Sequence, residues 1–198
     1  MDTLAATETF RDYLSRYITY TDEEWAIASK GFVFSTLKKK AYFAEVGKVS
    51  NELGFIYKGS ARYLHIRNGE EITNYFTFAP DFISAYKSFL RREPGHNYIQ
   101  MLEDSELVIV THKHWHFMLE HPQLAHKTER LGRLIAEHYL CCYDDRVASF
   151  VTKSPEERYL ELLDEGKEVI QRIPQHYIAN FLGITPVSLS RIRRRILA

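Results

Sequence analysis

The sequence has 198 residues, and its 26 basic and 26 acidic side chains give a formal net charge of zero. This balance argues against a protein that binds polyanions over its whole surface. Hydrophobic residues make up 45% of the chain, which is enough to build the core of one large or two small soluble domains. Basic residues are concentrated at positions 191–195, so any affinity for nucleic acid is expected to be local.

The cysteine content and the N-terminal residues indicate in which cellular compartment the protein is expected. Cys141 and Cys142 are the two cysteines, and adjacent thiols provide neither a disulfide framework nor C-x-x-C metal spacing. The N-terminal residues lack the basic and apolar regions of a secretory signal. No apolar run reaches the length needed to cross a membrane. These absences predict a cytoplasmic protein with no membrane partner.

The N-terminal part begins with helices and continues with strands. Residues 3–33 are predicted to be helical, and Thr21 with Glu24 forms a capping box for the second helix. From Phe34 the pattern changes to short strands, with N-G-E at 68–70 as a type I′ hairpin signal. A short helix is predicted around 84–90, and strands are predicted at 98–102 and 106–111. Closely spaced short strands favour a barrel or jelly-roll-like domain.

Helical periodicity dominates after residue 112. A short helix is predicted at 114–120, and a long amphipathic helix from Pro122 to about Phe150. Apolar residues on more than one face favour a dimer seam, and the alternative is a helix packed only on its own β domain. Ser154 and Pro155 are a predicted N-cap and first helical residue for a helix ending near residue 165. Residues 165–172 are then predicted to form a turn and a short strand.

The last two dozen residues, 173–196, predict two short helices joined by a tight turn. The first runs from about residue 174 to 182, and Gly183 suits a turn that needs positive φ. Thr185 is a predicted N-cap and Pro186 a first helical residue. The second helix turns Leu189, Ile192 and Ile196 inward and leaves serines and arginines outside.

Two functions are compatible with this segment. A short, capped and basic second helix suits a DNA major groove. The alternative is a helical hairpin whose arginine face is simply solvated. The small Ala179, the turn glycine, the T-P cap and the Ser/Arg face occur together, and their coincidence favours DNA binding.

The order of elements resembles the Crp/Fnr family of bacterial transcription regulators. The segment I-A-N-F-L-G-I-T-P-V-S-L-S-R-I-R at 178–193 carries the most specific likeness, supported by L-G-F-I-Y-K-G-S-A-R-Y, E-E-I-T-N-Y-F and I-Q-M-L-E-D-S-E-L-V. The resemblance implies an α+β fold. It comprises an N-terminal β-roll or jelly-roll sensor domain (1–120), a long dimerisation helix (121–150) and a C-terminal winged helix-turn-helix (151–198).

The resemblance also implies partners and DNA-binding residues. Members are homodimers that read a two-fold related operator in double-stranded DNA. The resemblance implies that this chain forms its homodimer through the 121–150 helix and has RNA polymerase as a further partner. Arg191 is expected to pair with a guanine, whereas Arg194 and Arg195 are expected to bind phosphates. Val187, in place of an acidic residue of many relatives, would contact a thymine methyl. The full predicted DNA-binding set is Thr185 (on a phosphate), Pro186, Val187, Ser188, Ser190, Arg191, Arg194 and Arg195.

The predicted effector pocket departs from the family pattern. Members that bind cyclic nucleotides use Gly-Glu for the ribose and Arg-Ser/Thr for the phosphate, where this chain has Ser84-Ala85 and His96-Asn97. Alanine cannot accept a hydrogen bond from a ribose hydroxyl, and neutral histidine is a poor substitute for arginine. Arg91 and Arg92 lie nearby. We therefore expect that cAMP does not bind in the usual way. The alternative is a sensor module for a nucleotide or other anion in which DNA binding is secondary.

Other candidate sites carry less weight. His112, His114 and His116 alternate, and they would share one face only on a strand, whereas a strand-to-helix junction would make them diverge. His138 and Cys142 are spaced i,i+4, and Cys141 with Cys142 could form a redox element between protomers, although buried packing is favoured. Two cysteines cannot hold an iron–sulfur cluster within one chain. The chain lacks the common catalytic motifs, so no enzyme activity, metal or cofactor is predicted, and the effector is unknown.

Overall fold

The computed structural model of the protein describes residues 1–196, so the last two residues of the predicted 151–198 domain lie outside the described part. The helices are α1 (Thr3–Leu14), α2 (Asp22–Ser29), α3 (Tyr86–Arg91), α4 (His112–Glu120), α5 (Ala125–Thr152), α6 (Pro155–Glu165), α7 (Lys167–Arg172), α8 (Gln175–Phe181) and α9 (Pro186–Ile196). The strands are β1 (Val33–Leu37), β2 (Tyr42–Ala44), β3 (Glu52–Lys58), β4 (Ser60–Arg67), β5 (Glu70–Phe78), β6 (Asp81–Ile83), β7 (Tyr98–Met101) and β8 (Ser105–Thr111).

The strands form two four-stranded sheets, ordered β1-β8-β3-β6 and β2-β7-β4-β5. Antiparallel register places Phe55 opposite both Val108 and Phe82, and Arg62 opposite Gln100. The predicted hairpin between β4 and β5 is confirmed, because Asn68 and Gly69 both have positive φ, 55° and 81°, as a type I′ turn requires.

The core of this sheet-rich part lies between the two sheets and under α1. A Cβ added at Gly54 on β3 would lie 2.6 Å from Ile83 and 3.1 Å from Phe43 of the other sheet, so the sheets approach closely there. Phe10 of α1 stacks on Phe55, with ring centroids 4.6 Å apart. Phe10, Phe55 and Ile83 are each no more than 3% exposed, and burying such side chains stabilises the fold by roughly 2 kcal/mol each.

Caps set several helix boundaries as predicted. Thr21 and Glu24 form the expected capping box of α2, and Ser154 caps α6 with Pro155 as its first residue. Helix α4 begins two residues earlier than predicted because Thr111 accepts a hydrogen bond from the His114 amide. Helix α5 begins later than predicted, at Ala125, because a tight turn over 121–124 precedes it.

The chain divides into two compact units, and the division falls inside β4, β5 and α5. The first comprises residues 1–64 and 76–136, and the second comprises 65–75 and 137–198. In the second unit the short strand predicted at 165–172 is wrong, since residues 167–172 form α7. Its Glu168–Arg172 ion pair spans one helical turn at 2.7 Å and supports a helix in this position.

Candidate nucleic-acid interface

The turn between α8 and α9 has the geometry predicted from Gly183. Its φ is +73°, and a Cβ at this position would lie 3.1 Å from the Phe150 ring. The Gly183 amide donates to Asn180 O and the Ile184 amide to Ala179 O, both at 3.0 Å. These bonds satisfy carbonyls at the end of α8 and turn the chain directly into α9. The helix-turn-helix predicted from the sequence is therefore confirmed.

Helix α9 is capped as predicted. Thr185 Oγ1 accepts from the Ser188 amide at 3.1 Å and lies 3.0 Å from Ser188 Oγ. Pro186 is the first helical residue, where its lack of an amide hydrogen costs nothing. The threonine hydroxyl thus fixes the start of α9, and it remains exposed at the surface.

The two sides of α9 differ sharply. Leu189 and Ile192 are 1% and 5% exposed, and Ile178, Ala179 and Leu182 of the preceding segment are also buried. Helices α8 and α9 therefore share an apolar core. Ile196, predicted to face inward, is half-buried. The opposite side is solvent-facing, with Ser188 half-buried. Its exposed residues are Pro186, Val187, Ser190, Arg191, Arg194 and Arg195, together with the cap Thr185.

The arginines of this side differ in their partners. Within residues 1–196, Arg191 and Arg194 make no ion pair, whereas Arg195 Nη2 lies 2.6 Å from Glu156 Oε2. A groove of about 670 Å³ runs beside them. Its lining consists of Pro155, Ile184, Ser188, Arg191, Ile192, Arg194 and Arg195. The predicted DNA-binding arginines therefore converge on one surface, and one of them is paired with a carboxylate that sequence reasoning did not find.

A pair of arginines positions the end of α8. Arg146 of α5 lies over the rings of Phe150 and Phe181 at 4.3 and 3.6 Å and donates to Phe181 O. Arg158 of α6 also lies over the Phe150 ring, at 4.4 Å, and donates to Leu182 O at 2.9 Å. Burial, with the charge of Arg158, lowers the pKa of Arg146 to about 10. Cations at a helix C-terminus stabilise its free carbonyls.

Asn180 of α8 makes a second contact that the sequence did not reveal. Its Oδ1 accepts from the Thr73 amide, and its Nδ2 donates to Glu71 O at 2.5 Å. Both backbone groups belong to the hairpin tip, residues 65–75, which lies in the same compact unit as the helix-turn-helix. The carboxamide thus pairs with the free edge of β5 as a neighbouring strand would. Residues more than 100 positions apart carry no local sequence signal for such a contact.

The residues of the predicted effector pocket have mixed environments. Ala85 is buried, and Ser84 Oγ is buried without a hydrogen-bond partner in the described chain. Arg92 has a left-handed φ of 57°, and its guanidinium donates to Ser50 O at 2.6 Å and to Asn51 Oδ1. Its charge is therefore used to hold the adjacent loop. Arg91 and His96 are exposed, and Asn97 is half-buried.

The histidine and cysteine clusters do not assemble a metal site. His114 Nε2 lies 2.6 Å from Ala28 O, whereas the tilted rings of His112 and His116 contact each other with centroids 4.1 Å apart. The expected divergence therefore holds for His114 but not for His112 and His116. Among residues 1–196, no group of three metal-ligating side chains occurs. Cys142 Sγ lies 3.7 Å from His138 Nε2. Cys141 is exposed and Cys142 half-buried in the single chain, so the chain's own packing buries neither thiol fully.

No protein-family model and no curated protein matches the chain, but solved structures do. CLP, a c-di-GMP responsive global regulator of Xanthomonas campestris, is 10% identical, with a TM-score of 0.70 over 87% of this chain and 89% of its own. FixK2 of Bradyrhizobium japonicum is 16% identical, with a TM-score of 0.64 over 83% and 84%.

A third similar structure comes from a protein described as a member of a regulator family. A regulator from Eubacterium rectale assigned to the Crp/Fnr family is 18% identical, with a TM-score of 0.67 over 93% of this chain and 86% of its own. At these identities the likeness is one of fold, and the predicted Crp/Fnr fold is confirmed. None of the described helices is both long and apolar enough to cross a membrane.

Proposed function

We propose, from the Crp/Fnr fold of the chain, that this protein is a homodimeric transcription regulator that binds a two-fold related site in double-stranded DNA. The observation that carries the proposal is the two-sided character of α9. This helix is anchored on one side by Leu189 and Ile192 and presents serine and arginine side chains to solvent on the other. An anchored helix with exposed polar side chains can enter a major groove without unfolding any part of the domain.

The exposed side of α9 supplies groups for both reading and positioning. Arg191 can donate two hydrogen bonds to a guanine, and the 61% exposed Val187 can contact a thymine methyl. Arg194 and Arg195 near the end of the helix suit phosphates, which position the helix without reading sequence. Thr185 Oγ1 is held by the Ser188 amide, so a phosphate contact from Thr185 would use its hydroxyl hydrogen. Pro186 and Ser190 complete the surface offered to base edges.

Homodimerisation is supported by the C-terminal part of α5. Its exposed apolar side chains recur at three- and four-residue intervals, and they are Leu140, Tyr143, Val147 and Val151. We call this set the α5 stripe. A stripe with this spacing is the pattern by which helices pair along a seam, and a second copy of the chain would cover it. RNA polymerase is a further partner in the proposal, and no catalytic activity is part of it.

The proposed regulator does not respond to cAMP in the usual way. Ala85 has no side-chain acceptor, and Arg92 is already bound to Ser50 and Asn51. Calorimetric titration of the protein with cAMP and cGMP should therefore give no saturable heat. Saturable binding would show that Arg91 or His96 provides a phosphate site, and it would favour the second candidate function, an anion-binding sensor.

The salt dependence of DNA binding tests the proposal. Each phosphate neutralised by an arginine releases a condensed counterion, so log K falls with log salt by about 0.9 per contact. Arg194→Ala should weaken binding to a mixed-sequence duplex and flatten this slope by about one contact. Arg91→Ala, which removes an equal charge from an exposed position in the other unit, should leave the slope unchanged. If wild-type protein does not bind duplex DNA at low salt, the proposed function is wrong.

A further inference from the structure

We propose that Glu156 masks one phosphate-binding arginine of the DNA interface, and that a DNA backbone phosphate must displace it. This inference rests on the proposed function and adds a residue that sets its affinity. Glu156 lies in the first turn of α6, 39 positions before its partner Arg195 at the end of α9. The carboxylate and guanidinium approach to 2.6 Å, so Arg195 already has an anion where DNA would supply one.

The groove beside this ion pair has the chemistry of a phosphate site. Three of its lining residues are arginines, and Ser188 adds a hydroxyl. Within residues 1–196, two of these arginines, Arg191 and Arg194, have no carboxylate partner, and Glu156 reaches only Arg195. A negatively charged backbone that follows the groove would therefore meet two available guanidiniums and one that is occupied.

The position of Glu156 makes the mask exchangeable. A carboxylate in the first turn of a helix is favoured by the free amides there, so Glu156 keeps a favourable electrostatic environment when Arg195 leaves. Its side chain is 37% exposed and that of Arg195 is 65% exposed, so both can rotate into solvent. Exposed pairs of this kind are weak, which allows a phosphate to compete with the carboxylate.

Displacement has a measurable electrostatic consequence. In the bound state the Glu156 carboxylate would lie near a phosphate, and like charges repel at short range. It would also attract a cation from solution and partly cancel the counterion that Arg195 releases from DNA. Glu156→Gln removes both effects because glutamine has similar size and no charge. This variant should bind a mixed-sequence duplex about 3- to 10-fold more tightly, with a log K against log salt slope steeper by up to about 0.9.

A matched control separates the mask from a general charge effect. Glu168→Gln removes one negative charge from another exposed ion pair of the same unit, 2.7 Å from Arg172. This variant should bind DNA much as the wild type does. Thermal unfolding of both variants should match the wild type closely, since neither residue is buried and surface pairs contribute little to stability.

The double variant completes the test. In an Arg195→Ala background there is no guanidinium to unmask, so adding Glu156→Gln should give a clearly smaller gain in affinity, limited to the relief of repulsion between the carboxylate and the phosphate. The proposal is overturned if Glu156→Gln gains no more than Glu168→Gln, or if its gain in affinity is undiminished when Arg195 is absent. If wild-type and variant proteins all fail to bind the duplex at low salt, the proposed function itself fails and the mask with it. If wild type binds and only the Glu156 gain is missing, DNA binding stands and the mask is rejected.

Discussion

Glu24 combines a helix cap with an ion pair and links the start of α2 to α5. Its Oε2 accepts from the Thr21 amide at 2.7 Å, and the Lys127 ammonium binds the same oxygen. The hydrogen bond from Lys127, followed by that from the Thr21 backbone, lowers the pKa of the Glu24 carboxyl. Both contacts favour the ionised carboxylate, so this residue should contribute stability that depends on pH.

Glu24→Gln should isolate the charge, because glutamine can still complete the capping box. With a folded pKa below the unfolded value of about 4.3, the charge stabilises the fold above that pH and ceases to do so as pH falls through the folded pKa. We expect a loss of about 0.5–1 kcal/mol at neutral pH that shrinks in acid, measured by thermal unfolding at both. Asp22→Asn, at a 96% exposed partner of Arg11, is the control. A loss equal at both pH values would contradict the assignment.

At the residue scale, sequence reasoning succeeded where the signal is local. Thr21 with Glu24, Ser154 with Pro155, and Gly183 each act on neighbours within a few positions, and each prediction is confirmed. Glu156 and Arg195 could not be paired from sequence, because 39 residues separate them and any acidic side chain could have met the arginine. The exposure of Cys141 also could not be predicted from the sequence, because helical periodicity does not show which face of a helix the rest of the chain covers.

At the element scale, the helix-turn-helix is held by contacts from α5, from α6 and from the hairpin tip at residues 65–75. Arg146 and Arg158 bind the last carbonyls of α8, and Asn180 joins α8 to the hairpin tip. Local pattern predicted α8, α9 and the turn between them, but it failed at residues 165–172. A turn and a short strand are predicted there, whereas the 167–172 segment forms a helix with a Glu168–Arg172 pair.

Asn180→Ala should free the hairpin tip from α8. Two hydrogen bonds to backbone groups are lost, and the expected cost is about 1–2 kcal/mol of unfolding free energy. Hydrogen exchange of the Thr73 amide should accelerate, because its acceptor is Asn180 Oδ1. Asn180→Asp is the matched variant, since it keeps an acceptor for Thr73 and loses the donor to Glu71. Unchanged exchange at Thr73 in Asn180→Ala would show that the contact does not protect this amide.

At the scale of the whole molecule, the fold was predictable because order and periodicity carry it. A strand-rich part, one long helix and a terminal helix-turn-helix follow each other in the sequence, and the structure has the Crp/Fnr fold. The extent of the compact units was not predictable. Residues 65–75 lie with the C-terminal helices, and a segment so distant in sequence gives no sign of this association.

The α5 stripe is the surface through which two copies of the chain are proposed to pair as a two-fold symmetric dimer. Val147, at its centre, is 44% exposed, so a charge placed there should be tolerated by the folded chain and costly between two paired helices. Val147→Asp should therefore keep the stability of the chain and lose the dimer. A single reading helix makes too few contacts for strong sequence selection, whereas two helices related by symmetry select an inverted repeat.

The most direct measurement is selection, from a random-sequence pool, of the duplexes that the 198-residue protein binds. We expect enrichment of an inverted repeat whose half-sites lie about one helical turn, ~34 Å, apart. Val147→Asp should lose the paired half-sites, and Arg191→Ala should relax one position within each. A bound pool that stays random, or a single enriched sequence without two-fold symmetry, would contradict a homodimer that reads DNA through α9.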